Sequence, residues 1–528
     1  MRIDLAGSDP DRAIDSHTDR WKRDDLLGRL WRKDPTVWGS RDEPEIADRL
    51  GWLDLPHTAR RHIGPITDLA ARAIDDGIET VVLVGMGGSS LAPETFSLSL
   101  PQQPGSPRLV VLDSTHPDAV RGVTNSVDLR RTWFIVSSKS GTTIETLSLM
   151  RHFLALVGHT IPDSGSKFIA VTDPGSELAE IASAEGFRAA VLADPTVGGR
   201  YSALSAFGLV PAGIVGCDIN KLLGAGAAAA ALCGVETPVD MNPGFRIGAT
   251  MAAGVPSGVD KVRFVGSGPG IHFGPWAEQL IAESTGKDGT GIVPIDDGPE
   301  RSGADDETTI GVGSDTRTRP TDITITWSDP HDIAAAMYLM EFATAVAGEV
   351  LGINPFNQPD VQRAKALATA AMDGTAEAAP PPEPIRSPEL HGKLSELLES
   401  DPSYVSIQAY LSPDEPTDGL LRRIQEAIVD RTGAATTVGY GPRFLHSTGQ
   451  LHKGGPSGGV FLQLVDTPAA VVPVPGSSYD FGALIGAQAD GDRRALAEAG
   501  RAVLSVDLGT EPAAGLIAIA NAIRVPAP

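Results

Sequence analysis

Cysteine is almost absent: Cys217 and Cys233 are the only two among 528 residues. That count excludes a disulfide framework, and no C-x-x-C spacing offers a metal or redox site. Both lie in apolar stretches (IVGCDIN and AALCGVE) and are expected to be inert core thiols. Positive charge is also scarce. Lys plus Arg is 43 against 67 Asp plus Glu, a formal net charge of −24. Such a surface repels polyanions, so nucleic acid and anionic membrane are not expected partners. A local basic pocket is still allowed. Lysine is scarce even among the cations, ten against thirty-three Arg. No run of about 18 apolar residues appears, so no membrane span is expected. The first residues, MRIDLAGSDPDRAIDSHTDR, lack the basic and apolar regions of a secretory signal, and a cytoplasmic location is expected. At 41% hydrophobic and 21% charged, the chain has the composition of a globular protein with about three or four domains.

Residues 1–60 read as a helical segment, with Trp21, Leu26, Leu27, Leu30 and Trp31 at helical spacing. Trp38 and Trp52 follow as packing anchors. From about residue 61 short apolar runs (TVVLVG, LVVLDS, TWFIV, KFIAVT) alternate with helix patterns, which predicts a parallel sheet covered on both faces over 61–195. A second α/β unit over 196–372 reads VRFVGSG, GIVPI and ITITW as strands and 331–351 as a long helix. Its acidic, Gly-rich stretch 296–320 reads as an exposed loop. The Pro/Ala-rich stretch 373–387 is the expected linker. Residues 388–528 form a third α/β region, with ATTVGYG, GGVFLQLV, AAVVPV and AVLSVDL as strands and helices over 416–431, 481–500 and 511–523.

Two strand ends carry chemistry. Gly85-Met86-Gly87-Gly88-Ser89-Ser90 follows an apolar strand and precedes a helix, where glycines permit close backbone approach and a helix N-terminus favours an anion. A dinucleotide turn, with Asp113 near the end of the next strand, competes with a monoester-phosphate cradle, and Ser90 breaks the G-x-G-x-x-G pattern. The second strand end is Ser137-Ser138-Lys139-Ser140-Gly141-Thr142-Thr143-Ile144-Glu145-Thr146. Six hydroxyls and a lysine in ten positions suit the oxygens of a terminal phosphate. Two such loops at the carboxyl edge of neighbouring strands favour the phosphate reading.

GMGGSSLAP, SSKSGTTIET, VGGRYSALSAFGL, AESTGK and NPFNQPDVQRAK occur in that order, and together they resemble the phosphoglucose isomerases of the sugar-isomerase superfamily. The resemblance covers about 60–375. The C-terminal part, with HSTGQLHKGGP, resembles the isomerase half of fused transaldolase–phosphoglucose isomerases. It implies an α/β fold with two doubly wound, flavodoxin-like domains plus the C-terminal α/β region. It also implies a metal-free and cofactor-free homodimer that interconverts glucose 6-phosphate and fructose 6-phosphate through ring opening and a cis-enediol.

By similarity, Gly88, Ser89, Ser138, Ser140 and Thr143 hold the phosphate, with Lys139 and Glu145 in the same signature. Ser140 keeps a hydroxyl where the family often has Thr, and Gly141 replaces a bulkier residue. Glu283, in AESTGK, is the implied base, a role a partly desolvated carboxylate can fill. Arg200 would stabilise the developing enediolate. Lys365 would contact the ring oxygen, with Gln358 in the same motif. Asn357 stands where the family commonly has Asp. The family's ring-opening His is missing from its usual place: His331 is the only His between Glu283 and the NPF motif. The expected substitute is the stretch His446 to Pro456, with His446 and His452 as equal candidates beside Lys453, acting within the chain or into a neighbouring subunit. Lys139, Arg200, Lys365 and Lys453 are expected to converge on one anion pocket.

An isomerase of another sugar phosphate is the nearest alternative. A non-catalytic sugar-phosphate sensor would need the hydroxyl cradle but not a base beside a cation. A sugar amidotransferase of the same superfamily would need an N-terminal Cys, where Met1-Arg2-Ile3 stands.

Overall fold

The computed structural model describes residues 1–5, 11–314, 321–372 and 380–525. Three five-stranded sheets organise them. The chain opens with a strand, β1 (Arg2–Leu5), and continues through a helical segment to β2 (Thr80–Gly85), β3 (Arg108–Leu112), β4 (Thr132–Ser137), β5 (Phe168–Thr172) and β6 (Ala189–Leu192). These last five form an all-parallel sheet in the order β3-β2-β4-β5-β6. Every residue of β2 and β4 is buried, as continuous Val/Ile/Phe-rich runs require when helices cover both faces. The chain leaves β2 for β3 on one side and later returns to β4 on the other. The loops after β2 and β4 therefore diverge and open a crevice at the carboxyl edge. The glycine turn and the Ser/Thr loop are these two loops.

The second sheet has the order β1-β10-β9-β7-β8, from β7 (Lys261–Ser267), β8 (Val293–Asp296), β9 (Glu307–Gly313) and β10 (Ile323–Thr326). It corrects two expectations. The N-terminal segment is not wholly helical, because β1 adds to this sheet, antiparallel to β10. The stretch 296–320 is not simply an exposed loop, because β9 lies inside it, paired to β7 and β10. Its sequence, ETTIGVG, carries two glycines and an acidic start, so its propensity is weak. Pairing on both sides supplies what propensity lacks, and Arg263 and Arg301 neutralise Glu307. Residues 315–320 of that stretch lie outside the described residues.

The helix Ile333–Leu351 is buried over Ile333–Glu349 and fills the core shared by the first two sheets and the N-terminal segment. With its preceding turn it is long and apolar enough to cross a membrane by length and composition, yet 94% of that window is buried inside the protein. Trp52 is fully buried against Tyr201, Tyr338 and Phe342, and Trp38 Nε1 donates to Ala345 O at 2.7 Å. Cys217 and Cys233 are free and buried. Burial pushes both thiols up to about 12, which leaves them protonated and unreactive.

The third sheet is all parallel, in the order β11-β15-β14-β12-β13: β11 (Glu383–Pro384), β12 (Tyr404–Tyr410), β13 (Ala435–Tyr440), β14 (Gly459–Val465) and β15 (Ala502–Asp507). The expected linker therefore contributes an edge strand, and its residues 373–379 lie outside the described residues. Sequence patterning misses β12 and misplaces a strand at AAVVPV. In β12 the side chains of Ser406 and Gln408 are buried where a core strand would carry apolar residues. In AAVVPV, Pro473 cannot donate to a ladder. That segment is instead a strap, and its Val472 and Val474 pack into the apolar cluster of the first sheet's helices.

Candidate active site

Close backbone contact assembles the site. Gly87 has φ +53°, and a Cβ there would stand 2.5 Å from His446 O and 2.6 Å from Gln279 Nε2. A Cβ on Gly88 would stand 2.0 Å from Gly199 O. The glycine turn thus sits directly against the Arg200 loop, the Glu283 helix and the third domain. In the neighbouring loop, Ser138 is buried. Its Oγ accepts from Gly141 N at 3.1 Å and lies 3.1 Å from Thr143 Oγ1. Gly141, at φ +73°, packs on Leu178 N, a position that favours glycine. Ser140 is exposed, with its Oγ 3.0 Å from Thr142 Oγ1 and accepting from Thr142 N at 3.3 Å, and Ser89 is half-buried.

Arg200, 5% exposed, joins three segments. Its Nη1 donates to Glu283 O (2.8 Å), Asn357 O (3.1 Å) and Pro355 O (3.2 Å), and its Nη2 to Gln358 Oε1 (3.4 Å). Its Nε lies 3.3 Å from Glu283 Oε2. A rigid guanidinium fork suits this multiple recognition. Glu283 projects from the helix Gly274–Thr285 and is 6% exposed. Gln279, one turn earlier, spans the cleft: its Nε2 donates to Glu283 Oε2 (3.2 Å) and to His446 O (2.7 Å), and its Oε1 has no partner. Lys287 is buried beside this pair and donates to Asn354 O at 2.5 Å. Burial, then the Arg200 charge, pushes its ammonium well below the usual value.

The third domain enters the same cleft. His446 Nε2 lies 2.9 Å from Glu145 Oε1, with the histidine 14% exposed and the glutamate 7%. Burial pushes the Glu145 carboxyl up, but the charge and hydrogen bond of His446, with the Lys365 charge, outweigh it. Glu145 is held below its ordinary value. Lys365 is exposed on the helix Pro359–Met372. Gln450 stitches the parts together, donating to Gly286 O (3.0 Å) and Asp360 Oδ2 (2.5 Å) and accepting from Asp360 N (3.0 Å). Arg443 pairs with Glu94 and, at 3.2 Å, with Asp113 Oδ2. Asp113 also accepts from Ser90 Oγ, so this acid is engaged within the protein.

Three expected site residues, His452, Lys453 and Lys139, are engaged by other groups of the protein. His452 is 2% exposed, inside the third domain, between Phe444 and Phe461. Its ring nitrogens lie 3.2 Å from Ser406 Oγ and Gln408 Nε2. Burial and the Lys453 charge hold it neutral, far below its usual range. Lys453 forms a buried ion pair with Asp492. Lys139 pairs with Asp173 and donates to Pro195 O at 3.0 Å. Asn357 reaches Arg200 through its backbone oxygen, while its side-chain Oδ1 has no partner. Of the four cations expected to converge, Lys139 and Lys453 pair with Asp173 and Asp492, Arg200 pairs with Glu283, and Lys365 is exposed. His331 pairs with Asp329 in the turn before the long helix. Sequence reasoning missed Gln279, Arg443 and Gln450. Gln279 lies one helical turn before Glu283, a spacing that places both on one face.

Residues 70–248 match the family model of phosphoglucose isomerase. The matched stretch spans about a third of the chain. It holds the glycine turn, the Ser138–Thr143 loop and Arg200, while Glu283, Gln358, Lys365 and His446 lie beyond it. The chain is 28% identical over 400 residues to a glucose-6-phosphate isomerase of Rubrobacter xylanophilus, covering 62% of this chain and 90% of that protein. It is 32% identical over 299 residues to a probable glucose-6-phosphate isomerase of Haloarcula marismortui, covering 56% of this chain and 65% of that protein. A crystal structure of a glucose-6-phosphate isomerase from Chlamydia trachomatis shares the fold, with a TM-score of 0.60 at 18% identity over 74% of this chain and 90% of that one. Among the described residues no group of His, Cys, Asp and Glu is arranged to hold a metal ion.

Proposed function

We propose that the protein is a glucose-6-phosphate isomerase, an aldose–ketose isomerase acting through a cis-enediol. The observation that carries this reading is the pairing, in one cleft, of a buried carboxylate held by a guanidinium (Glu283 and Arg200, 3.3 Å) with a His–carboxylate pair (His446 and Glu145, 2.9 Å). The segments of the first pair lie against the glycine turn, and Glu145 stands in the first turn of the helix that follows the hydroxyl loop.

In this reading Ser89, Ser138, Ser140 and Thr143 take the phosphate. His446 and Lys365 serve ring opening, with Glu145 keeping the imidazole oriented. Glu283 carries the proton between C2 and C1, and the Arg200 guanidinium stabilises the negative charge that develops on the enediolate oxygens. Arg200 is fixed by three backbone carbonyls before substrate arrives, so little reorganisation accompanies the reaction. His446 reaches the cleft within its own chain, and no neighbouring subunit is needed for that contact. A cytoplasmic homodimer acting on a free sugar phosphate completes the proposal, with the resemblance as its support.

The test is solvent-deuterium incorporation at C2 of glucose 6-phosphate by the wild type and by Glu283→Gln. Exchange by the wild type and its loss in the variant are expected. Exchange by both, or by neither, overturns the assignment.

A further inference from the structure

The third domain contributes more than His446 to this cleft. Gln488, on the helix Phe481–Glu498, is 4% exposed and reaches Glu145 on the first domain. Its Nε2 donates to Glu145 Oε1 at 2.8 Å, the same oxygen that His446 Nε2 faces at 2.9 Å. Its Oε1 accepts from the fully buried Thr115 Oγ1 at 2.8 Å. The Glu145 carboxylate only accepts, so the amide turns its N–H end to Glu145 and its oxygen to the Thr115 hydroxyl, which donates to it and holds that orientation. The Tyr410 hydroxyl donates to Gln488 O at 3.4 Å and steadies the helix at that residue. Glu145 therefore meets His446 from the turn Arg443–His446, Gln488 from its helix, the Lys365 charge from the helix Pro359–Met372 and the Tyr410 phenol from β12.

A carboxylate that orients a histidine must itself be held, since a ring aimed by a freely rotating partner is not aimed. Gln488 is buried with both ends of its amide engaged, one of them by Glu145. We infer that Gln488 is a positioning residue for ring opening: it fixes the Glu145 carboxylate so that His446 is held in its working orientation. The third domain would then grip this pair from both sides, supplying the histidine and the clamp on its partner. The inference rests on the proposed function, and the experiment below separates the two.

Gln488→Met keeps the length and packing of the side chain and removes both hydrogen bonds. The expected result in the full chain is a fall of about tenfold in kcat on ring-closed glucose 6-phosphate, with KM nearly unchanged. The fructose 6-phosphate analogue lacking the 5-hydroxyl stays open, because its 6-hydroxyl carries the phosphate and its 4-hydroxyl could close only a four-membered ring on C2, and its turnover should stay within about threefold of the wild type. The acid limb of the pH profile should move upward, because the carboxylate loses a donor that favours its charged form. Thr115→Val should give a smaller loss of the same pattern, and it decides the matter if Gln488→Met does not fold. An equal loss on both substrates, or no loss, overturns the positioning role. His446→Asn is assayed alongside. If it opens the ring as well as the wild type, the assignment of ring opening itself is wrong. If it is impaired while Gln488→Met is normal, only the clamp is refuted.

Discussion

Replacing Gly88 by alanine tests the assembly of the site with one methyl group. The added Cβ would stand 2.0 Å from Gly199 O and 2.5 Å from Gly199 C. Real Cβ contacts are essentially never closer than 3.0 Å, so one backbone must retreat by about 1 Å or more. Both atoms belong to main chain, so no rotamer change relieves the clash. The segment that moves is either the glycine turn or the residue before Arg200, whose Nη1 reaches Glu283 O at 2.8 Å and Asn357 O at 3.1 Å. A misplacement of about 1 Å between reacting groups costs on the order of 100-fold in rate, and the overpacking itself about 1–3 kcal/mol. Steady-state isomerisation kinetics, with near-UV circular dichroism as the check on folding, should show kcat lowered roughly 100-fold in a folded protein. Gly198→Ala is the control in the facing loop. Its Cβ would meet only Arg49 Cδ, at 3.8 Å, and its φ of −67° suits alanine, so kcat should stay within about threefold. Near-normal turnover by Gly88→Ala would refute the claim that this backbone contact sets the geometry of the site.

Two further expectations concern stability. Burial, then the Asp296 charge, pushes the Glu278 carboxyl up to about 8, while Arg443 opposes the rise. The folded state thus holds this proton more tightly than the unfolded chain. The associated stability is complete below the ordinary carboxylate value and lost as pH rises toward about 8. The melting temperature of Glu278→Gln relative to wild type should therefore climb between pH 5 and 9, and a constant difference would refute the linkage. Lys453→Met strands Asp492, which is fully buried, and should destabilise the third domain by about 3–5 kcal/mol. Pairing it with Asp492→Leu should recover much of that loss, as thermal or urea denaturation of the two variants would show.

The first sheet and its two loops were legible because the signal there is local. Continuous apolar runs end in glycines or hydroxyls at strand ends, and a parallel sheet buried on both faces needs such runs. The second and third sheets were read less fully. β9 was hidden in an acidic stretch because its burial comes from two neighbouring strands. β12 was hidden because Ser406 and Gln408 occupy inward positions satisfied by distant partners such as His452. At the site, ordered motifs named Glu283, Arg200, Gln358 and Lys365. The choice between His446 and His452 was open at that level: both lie in one polar, Gly-rich stretch, and six residues of spacing say nothing about which ring faces a cleft.

The sequence alone determined the alternation of strands and helices, the anion-ready loops, the scarcity of cations and the identity of the residues able to move a proton. Tertiary structure decided which charges remain available. Lys139 and Lys453 are each neutralised by an aspartate distant in sequence, and Lys287 is buried, whereas Arg200 is presented to Glu283 and Lys365 stays exposed. It also decided that a third domain closes the site, through Gln279 to His446 and through Gln488 to Glu145. The physical reason is common to both. Charge pairing, desolvation and hydrogen-bond geometry depend on distances of a few ångströms between residues separated by up to 373 positions, and no local pattern encodes such distances.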